Sequence, residues 1–512
     1  MKRLILLRRL IDILDNIKKL ISKNIIVFTV ILLFVIVFVG KLFPVNYPTD
    51  IYNIKLLGLK EYAYKWFLPS GRMVGILVLY FFDLIGITVD SYITIMKIVA
   101  ILISTLCIYL FYNMILKNTN ENDYTKRVII LLLSILLFLN HGTYQYFYYP
   151  ESGIRWLSVF FVILAIKNTI EGKNYIKTFI YLFVALNCYQ AIIYFYLPAL
   201  MLFFSIQGKN KKEIFKQTFK SIIVIFFNLL IGYMFVKIAR TYFDVISYQS
   251  VEITFDLNKL LRDAIDLLWN TEDSISSRII VCLYYFVIVI TLFIDKKYIK
   301  ETKVNDLFFA QIFIFLSAYF QILCTVSFLN FYTADRILFA YIVGWILCGF
   351  VLILNTNILN NIHYRKLCMV IIIVAMCVIF MDCYDITKNS IISREVSDKI
   401  GNIIHERLME YENNSNIKVR KVEYCFDIFY YCWDKEIQKC TGEATMRVFG
   451  SWTTDTVLKY YLGNDLEIEK NNIIHSKIFD EKEWDIYDDD QIISYEDLTQ
   501  EFGHHHNLFY YK

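Results

Sequence analysis

Long apolar runs, repeated along the whole chain, decide what this sequence can fold into. They lie at 24–43, 72–89, 92–116, 127–140, 154–166, 175–189, 190–206, 219–238, 279–294, 307–329, 337–355 and 366–383. A bilayer's hydrocarbon core asks for about 20 residues of helix, and most of these runs supply them; 127–140 and 154–166 are short. Lipid offers no partner to a bare backbone N–H or C=O, so each run must be helical. Composition agrees: 57% of residues are hydrophobic and 20% charged, with mean hydropathy +0.48, too little charge to cover a soluble surface of this size. The expected fold is a polytopic α-helical membrane protein of 11–12 hydrophobic segments. Residues 24–43 read as an uncleaved first span, because no small-residue cleavage site accompanies them. The abundant Tyr, Ile, Asn and Lys point to an AT-rich bacterial coding sequence, and the fold to a multi-pass bacterial cell-membrane protein.

Lys and Arg in short loops set orientation. "QGKNKKEIFKQTFK" (207–220), "DKKYIKETK" (295–303) and "NNIHYRK" (360–366) are basic and read as cytoplasmic. Alternation then places 141–153, 239–278, 330–336 and everything after 383 outside. Residues 1–23, "MKRLILLRRLIDILDNIKKLISK", space apolar residues at helical intervals between cations, as a cytoplasmic amphipathic helix or a simple positive-inside anchor would. Twelve crossings from an inside N-terminus would leave the tail inside, so one segment is expected not to cross. Residues 72–89, with Arg72, Asp83 and interrupting glycines, are read as re-entrant or tilted; a wrong split within 175–206 is the rival account.

Three regions result: a cytoplasmic N-terminal helix (1–23), a membrane domain (24–383) and an extracytoplasmic tail (384–512). The tail holds 15 Lys+Arg against 25 Asp+Glu, as suits a water-facing unit. It reads as a small α/β domain. Residues 393–414 are a helix leading away from the membrane, and 417–431 are strand-like. Residues 451–465 are a helix ended by Gly463, and "NNIIHSKIF", "DQIISY" and "NLFYY" are further strands.

Chemistry gathers in the loops placed outside. "NYPTDIYNIKLLGLKEYAYKWFLPSGR" (46–72) offers Asp50, Glu61 and Arg72 among Tyr52, Trp66 and other aromatics. "NHGTYQYFYYPESGIRW" (140–156) offers Glu151 and Arg155 after a Tyr/Phe cluster ending at Tyr149. "FYTADRILFA" offers Asp335 and Arg336. Ionisable groups at membrane depth are costly and face cavities. An arginine fork suits phosphate, and a carboxylate beside a hydroxyl can take its proton. Singly, each has a plainer explanation: a solvated span-end Asp, an aromatic belt, an Arg on lipid headgroups. Gln190, beside Tyr189, either satisfies a neighbouring helix or lines the same cavity. "GHHH" (503–506) is not read as a metal site, because adjacent His residues cannot readily share one ion. With three Cys in the tail (Cys425, Cys432, Cys440), no disulfide is expected. Neither a P-loop nor a Rossmann glycine fingerprint is present, and no nucleic-acid partner is implied.

Taken together, "YPTDIYNIKLLGLKEYAYKWFLPSGR", "YYPESGIRW", "RVFGSWTTDTVLKYYLG" and "DEKEWDIYDDDQI" resemble the bacterial glucosyltransferase-II-like family, multi-span enzymes of general GT-C type. The resemblance implies transfer of glucose or a similar hexose from a polyprenyl-phosphate donor to a surface polysaccharide, without metal or other cofactor. It implies Asp50 as catalytic acid of the first outer loop, with Glu61 in reserve and Glu151 as a second acid. Arg72, Arg155 and Arg336 become phosphate contacts, with Tyr52, Trp66, Tyr149, Gln190 and Asp335 lining the site. A repeat-unit polymerase or ligase, or a lipid-linked sugar flippase, is the alternative. The outer loop 239–278 lacks His and the span centres show little charge beyond Asp83 and Lys97, which weighs against both; a sensor or adhesin scaffold working through its acidic tail is a third class.

Overall fold

The computed structural model describes residues 25–40, 48–172, 174–243, 256–269, six helical residues between 286 and 293, 304–329, 335–416, 418, 421–426, 454–463, 467–470 and 507–511. The expected N-terminal amphipathic helix, most of the 279–294 run, Cys432, Cys440 and the GHHH tract lie outside these residues.

In chain order the helices are α1 (Ile25–Val39), α2 (Pro48–Tyr62), α3 (Met73–Leu84), α4 (Val89–Thr119), α5 (Tyr124–Phe138), α6 (His141–Tyr148), α7 (Ser152–Ile170) and α8 (Tyr175–Cys188). After a 3-10 turn (Gln190–Phe195) come α9 (Tyr196–Ile206), α10 (Lys211–Phe243), α11 (Leu257–Trp269), α12 (Val304–Leu329), α13 (Asp335–Ile342), α14 (Gly344–Asn355) and the 54-residue α15 (Ile362–Ser415). Six of them are long and apolar enough to cross a membrane, or seven if the bent pair α5–α6 is one span. Their outer faces are apolar too. Phe219, Phe226, Phe227 and Tyr233 on α10, and Val370, Val374 and Met381 on α15, stand exposed. Such a surface needs a non-aqueous neighbour, as in a multi-pass membrane protein.

Polar residues punctuate the bundle. Thr88 caps α4 by accepting from Ser91 N at 3.3 Å, and Asp123 caps α5 by accepting from Lys126 N at 3.0 Å. Asn140 and Thr143 form a reciprocal capping box at the start of α6, satisfying amides that a buried helix start would otherwise orphan. Inside, Phe111 meets Phe138 and Phe203 edge-on, with centroids 5.4 and 5.5 Å apart.

Interhelical polar contacts sort the loops onto two ends. At one end Lys117 pairs with Glu171, Arg365 with Asp123 and Lys211 with Asp306, each at 3.3 Å. At the other end Lys55 pairs with Asp90 at 3.1 Å and His141 with Asp382 at 3.3 Å, and Gln190 Nε2 donates to the Ser70 carbonyl. α3 begins and ends at this second end. Arg72 precedes it, and the turn after it returns Asp90 to Lys55. The 72–89 run is therefore an excursion of one end, with Leu77, Phe81 and Leu84 exposed. α8 and α9 are separate helices joined through extended Tyr189, so the split within 175–206 stands.

Several expectations change in detail. Two stretches taken for loops are helical: 48–62 is α2, and 141–148 is α6, bent 57° from α5. The short run 154–166 lengthens to Ser152–Ile170, because Ser152 is buried within the protein and Asn168 and Thr169 are buried and hydrogen-bonded there rather than facing lipid. The run 337–355 breaks at Val343 into α13 and α14.

The boundary drawn at residue 384 falls inside continuous α15. Beyond it are β1 (Lys421–Phe426), α16 (Thr454–Leu462), β2 (Glu467–Lys470) and β3 (Asn507–Tyr511). β1 is central, parallel to β2 and antiparallel to β3. Gly463 ends α16 with φ +116°. The strands read at "NNIIHSKIF" and "DQIISY" lie outside the described residues, and these pieces alone do not define a domain.

Candidate functional site

The loop before α7 turns at Pro150 and places Glu151 at the helix entrance, one turn before Arg155. Both side chains are 4% exposed, and Arg155 Nη2 donates to Glu151 Oε1 at 2.6 Å. The same oxygen faces Arg72 Nη1 at 3.9 Å. Gly153 makes this possible. A Cβ there would meet the Met96 carbonyl and sulfur at 3.0 Å, so only glycine lets the start of α7 press against α4 and bring Tyr92 within electrostatic reach of Glu151.

Aromatic faces hold the cations. Arg155 lies 3.6 Å from the Tyr149 ring centroid and 4.8 Å from Tyr189. Arg72 lies 5.4 Å from Tyr189 and 5.5 Å from Phe67. Cations over desolvated rings gain most from the ring quadrupole. Two cations on one carboxylate leave the cluster net positive. Burial alone would push the Glu151 carboxyl up, but Arg155 and Arg72 outweigh it and hold it below the usual range. Glu151 is thus a fixed counter-charge, poorly suited to take a proton.

Asp50, in the first turn of α2, is half-buried on the same side. Burial first, then the carboxylates of Asp50 and Glu151, raise the Tyr62 phenol well above its ordinary range, with Arg72 opposing. Tyr62 therefore stays protonated, within electrostatic reach of both carboxylates. Several polar atoms in this cluster have no hydrogen-bond partner among the described residues: Arg72 Nε, Arg155 Nη1, Glu151 Oε2 and the Tyr92 hydroxyl. Leaving each unmatched costs about 1–3 kcal/mol, so the cluster has unused capacity both to donate from its guanidiniums and to accept at its carboxylate.

The remaining expected residues divide. Gln190 joins the cluster's rim through Ser70. Trp66, on a π-helical turn (Ala63–Phe67), is partly buried, and its carbonyl accepts from Ser70 Oγ at 2.9 Å. Asp335 and Arg336 open α13, which packs against α6 and the 190–195 turn. Glu61 stands apart, exposed and paired with Lys65 at 3.0 Å; the bend at Gly58 (φ 74°, ψ 172°) turns it from the face that carries Asp50. Tyr52 is also elsewhere, bonded to Asp398 of α15. The aromatic run 144–149 is neither an exposed belt nor an open shelf: Tyr144, Tyr146, Tyr148 and Tyr149 are all buried.

Tyr62 and Tyr92 were not picked out from the sequence, although Tyr62 adjoins Glu61; charge drew attention from the phenol. His141 and Asp382 meet across 241 residues, with no local signal. Among the described residues no group of His, Cys, Asp and Glu is close enough to hold a metal ion. No family model, curated protein or solved structure matches the chain.

Proposed function

We propose that this chain is a polytopic membrane glycosyltransferase that moves glucose or a similar hexose from a polyprenyl-phosphate donor to a surface polysaccharide. The observation that carries this is the Arg72–Glu151–Arg155 cluster, with Glu151 and Arg155 buried and Arg72 partly so, net positive and with unmatched donors on both guanidiniums. Arginine forks bind phosphate oxygens in pairs, and the charge that develops on a departing lipid phosphate is what such a site stabilises. The end bearing the basic loops is the cytoplasmic one by the positive-inside rule, which puts this cluster and the tail outside.

Asp50 is the base. It deprotonates the acceptor hydroxyl, whose oxygen attacks the anomeric carbon as the C–O bond to the lipid phosphate breaks. A single displacement inverts the anomeric centre. Tyr62, held neutral, positions the acceptor oxygen or the leaving phosphate by donating its proton in a hydrogen bond. The glucosyltransferase-II-like resemblance supports this reading through its motifs. A flippase is disfavoured by the scarcity of charge at the span centres, beyond Asp83 and Lys97.

The test is transfer in membranes from polyprenyl-phosphate glucose to cell-surface polysaccharide. Asp50→Asn, at equal protein level, is expected to lower transfer at least about 100-fold, the lower range of general base catalysis, while Glu61→Gln stays near the intact protein. Loss with Glu61→Gln and retention with Asp50→Asn would move the base to Glu61. No transfer by the intact protein from any of several lipid-linked sugars would refute the activity.

A further inference from the structure

A polar concavity lies apart from the Arg–Glu cluster, where the tail meets the first loop helix. Tyr52 and Tyr461 both donate to Asp398 Oδ1, and their hydroxyls are 3.0 Å apart. Tyr460 lies edge-on to Tyr52, with centroids 5.1 Å apart, and to Tyr461 at 5.2 Å. These three rings, with Lys55, Asp398 and Asn402, line a cavity of about 260 Å³. At about 30 Å³ of liquid per water, that is room for roughly nine waters, on the order of the dozen heavy atoms of one hexose.

This concavity is built rather than incidental. Three elements far apart in sequence meet there: α2, the extension of α15 and α16. Gly401 is what lets α16 close on α15, because a Cβ would meet the Tyr461 ring at 2.4 Å. Burial, then Tyr52 and Asp398, push the Tyr461 phenol far up, so it remains a donor.

Its chemistry selects among ligands. Asp398 is hydrogen-bonded by two neutral phenols and Lys55 is paired with Asp90, so the lining's lysine is not free to hold an anion, which disfavours phosphate and acidic sugars. What faces the opening is the ring of Tyr460, 40% exposed, and the exposed amide of Asn402. A flat aromatic face with a polar tip beside a donor–acceptor amide suits a neutral pyranose, whose faces are apolar and whose rim is hydroxylated.

Position gives the role. Tyr52 and Asp50 are two residues apart on α2, and i,i+2 side chains point to different faces of a helix. A helix with its side chains is about 10–12 Å across. A ligand reaching from this cavity to Asp50 must span that width, which a single sugar does not and a polymer does.

We infer that the cavity between α2, α15 and α16 is a subsite for a neutral hexose unit of the polysaccharide acceptor, remote from the unit that reacts. It rests on the transferase proposal for its role, but binding is measurable without any donor. The experiment is equilibrium binding of neutral gluco-oligosaccharides of one to six units, α- and β-linked, to the full-length protein in detergent, read by saturation-transfer NMR and calorimetry. Tyr460→Ala and Asn402→Ala change exposed side chains, and thermal unfolding of each variant confirms an intact fold. Longer oligosaccharides are expected to bind, with affinity reduced about tenfold in either variant, near the upper end of an aromatic contact. Absence of oligosaccharide binding by the intact protein, or binding indifferent to both variants, overturns the inference. Binding that behaves as expected in a protein without transfer activity would instead refute the transferase and leave the glycan site standing.

Discussion

Removing one partner of the Glu151–Arg155 pair should harm the protein more than removing both. The two side chains are each 4% exposed and 2.6 Å apart. Breaking such a pair strands a buried charge, at about 3–5 kcal/mol. The structure ranks the variants. Glu151→Gln leaves two guanidiniums without their shared carboxylate and belongs near about 5 kcal/mol. Arg155→Met leaves Glu151 with Arg72, 3.9 Å away, and belongs near about 3 kcal/mol. Arg72→Met removes a longer contact to a cation 24% exposed and costs about 1 kcal/mol or less. In Glu151→Gln/Arg155→Met neither charge of the pair remains, and replacing a buried ion pair by uncharged residues of similar size avoids a stranded charge, so the double variant should lie within about 2 kcal/mol of the intact protein. The assay is reversible unfolding in mixed micelles with SDS as denaturant, run as a double-mutant cycle. Additive losses, with the double variant worst, would show that the pair is not a desolvated unit and would remove the basis for reading its unmatched donors as a ligand site.

Two further outcomes test the same cluster. Because the folded Glu151 carboxyl lies below its ordinary value, its stabilisation is complete above about pH 4.3 and is lost as pH falls through the lower folded value. Unfolding midpoints measured from pH 6 down to pH 3 should fall more steeply for the intact protein than for Glu151→Gln, and parallel curves would contradict the assignment. Gly153→Val would drive a side chain into Met96, at about 1–3 kcal/mol of overpacking; it should cost stability and transfer together, and Gly153→Val with full transfer would show that the α4–α7 approach does not set the site.

Much of the architecture was written in the apolar runs, because lipid leaves a span no choice but helix. Even the excursion at 72–89 was legible, since Arg72 and Asp83 inside a short run conflict with a full crossing. The site was legible where charge sits beside its partner: Glu151 and Arg155 are one helical turn apart, and a single quoted motif holds both. It was not legible where local geometry chooses the face. Nothing in "LLGLKEY" says that Gly58 bends α2 and sends Glu61 to solvent, or that Tyr52 turns away from Asp50 toward the tail. Long-range meetings such as His141 with Asp382, or Tyr52 with Asp398 and Tyr461, have no local pattern at all.

The unbroken 54-residue course of α15 has a mechanical consequence. At 1.5 Å per residue it is a rod of about 80 Å, whose apolar part ends near Lys388. Asp398 and Asn402 lie ten and fourteen residues beyond, hence about 15–20 Å along the same rod. A flexible tether would let the tail cavity wander; a stiff strut holds it at constant height. On the proposed transferase reading, the rod is a ruler that fixes how far along an acceptor chain a unit held in the tail cavity stands from the unit presented to Asp50.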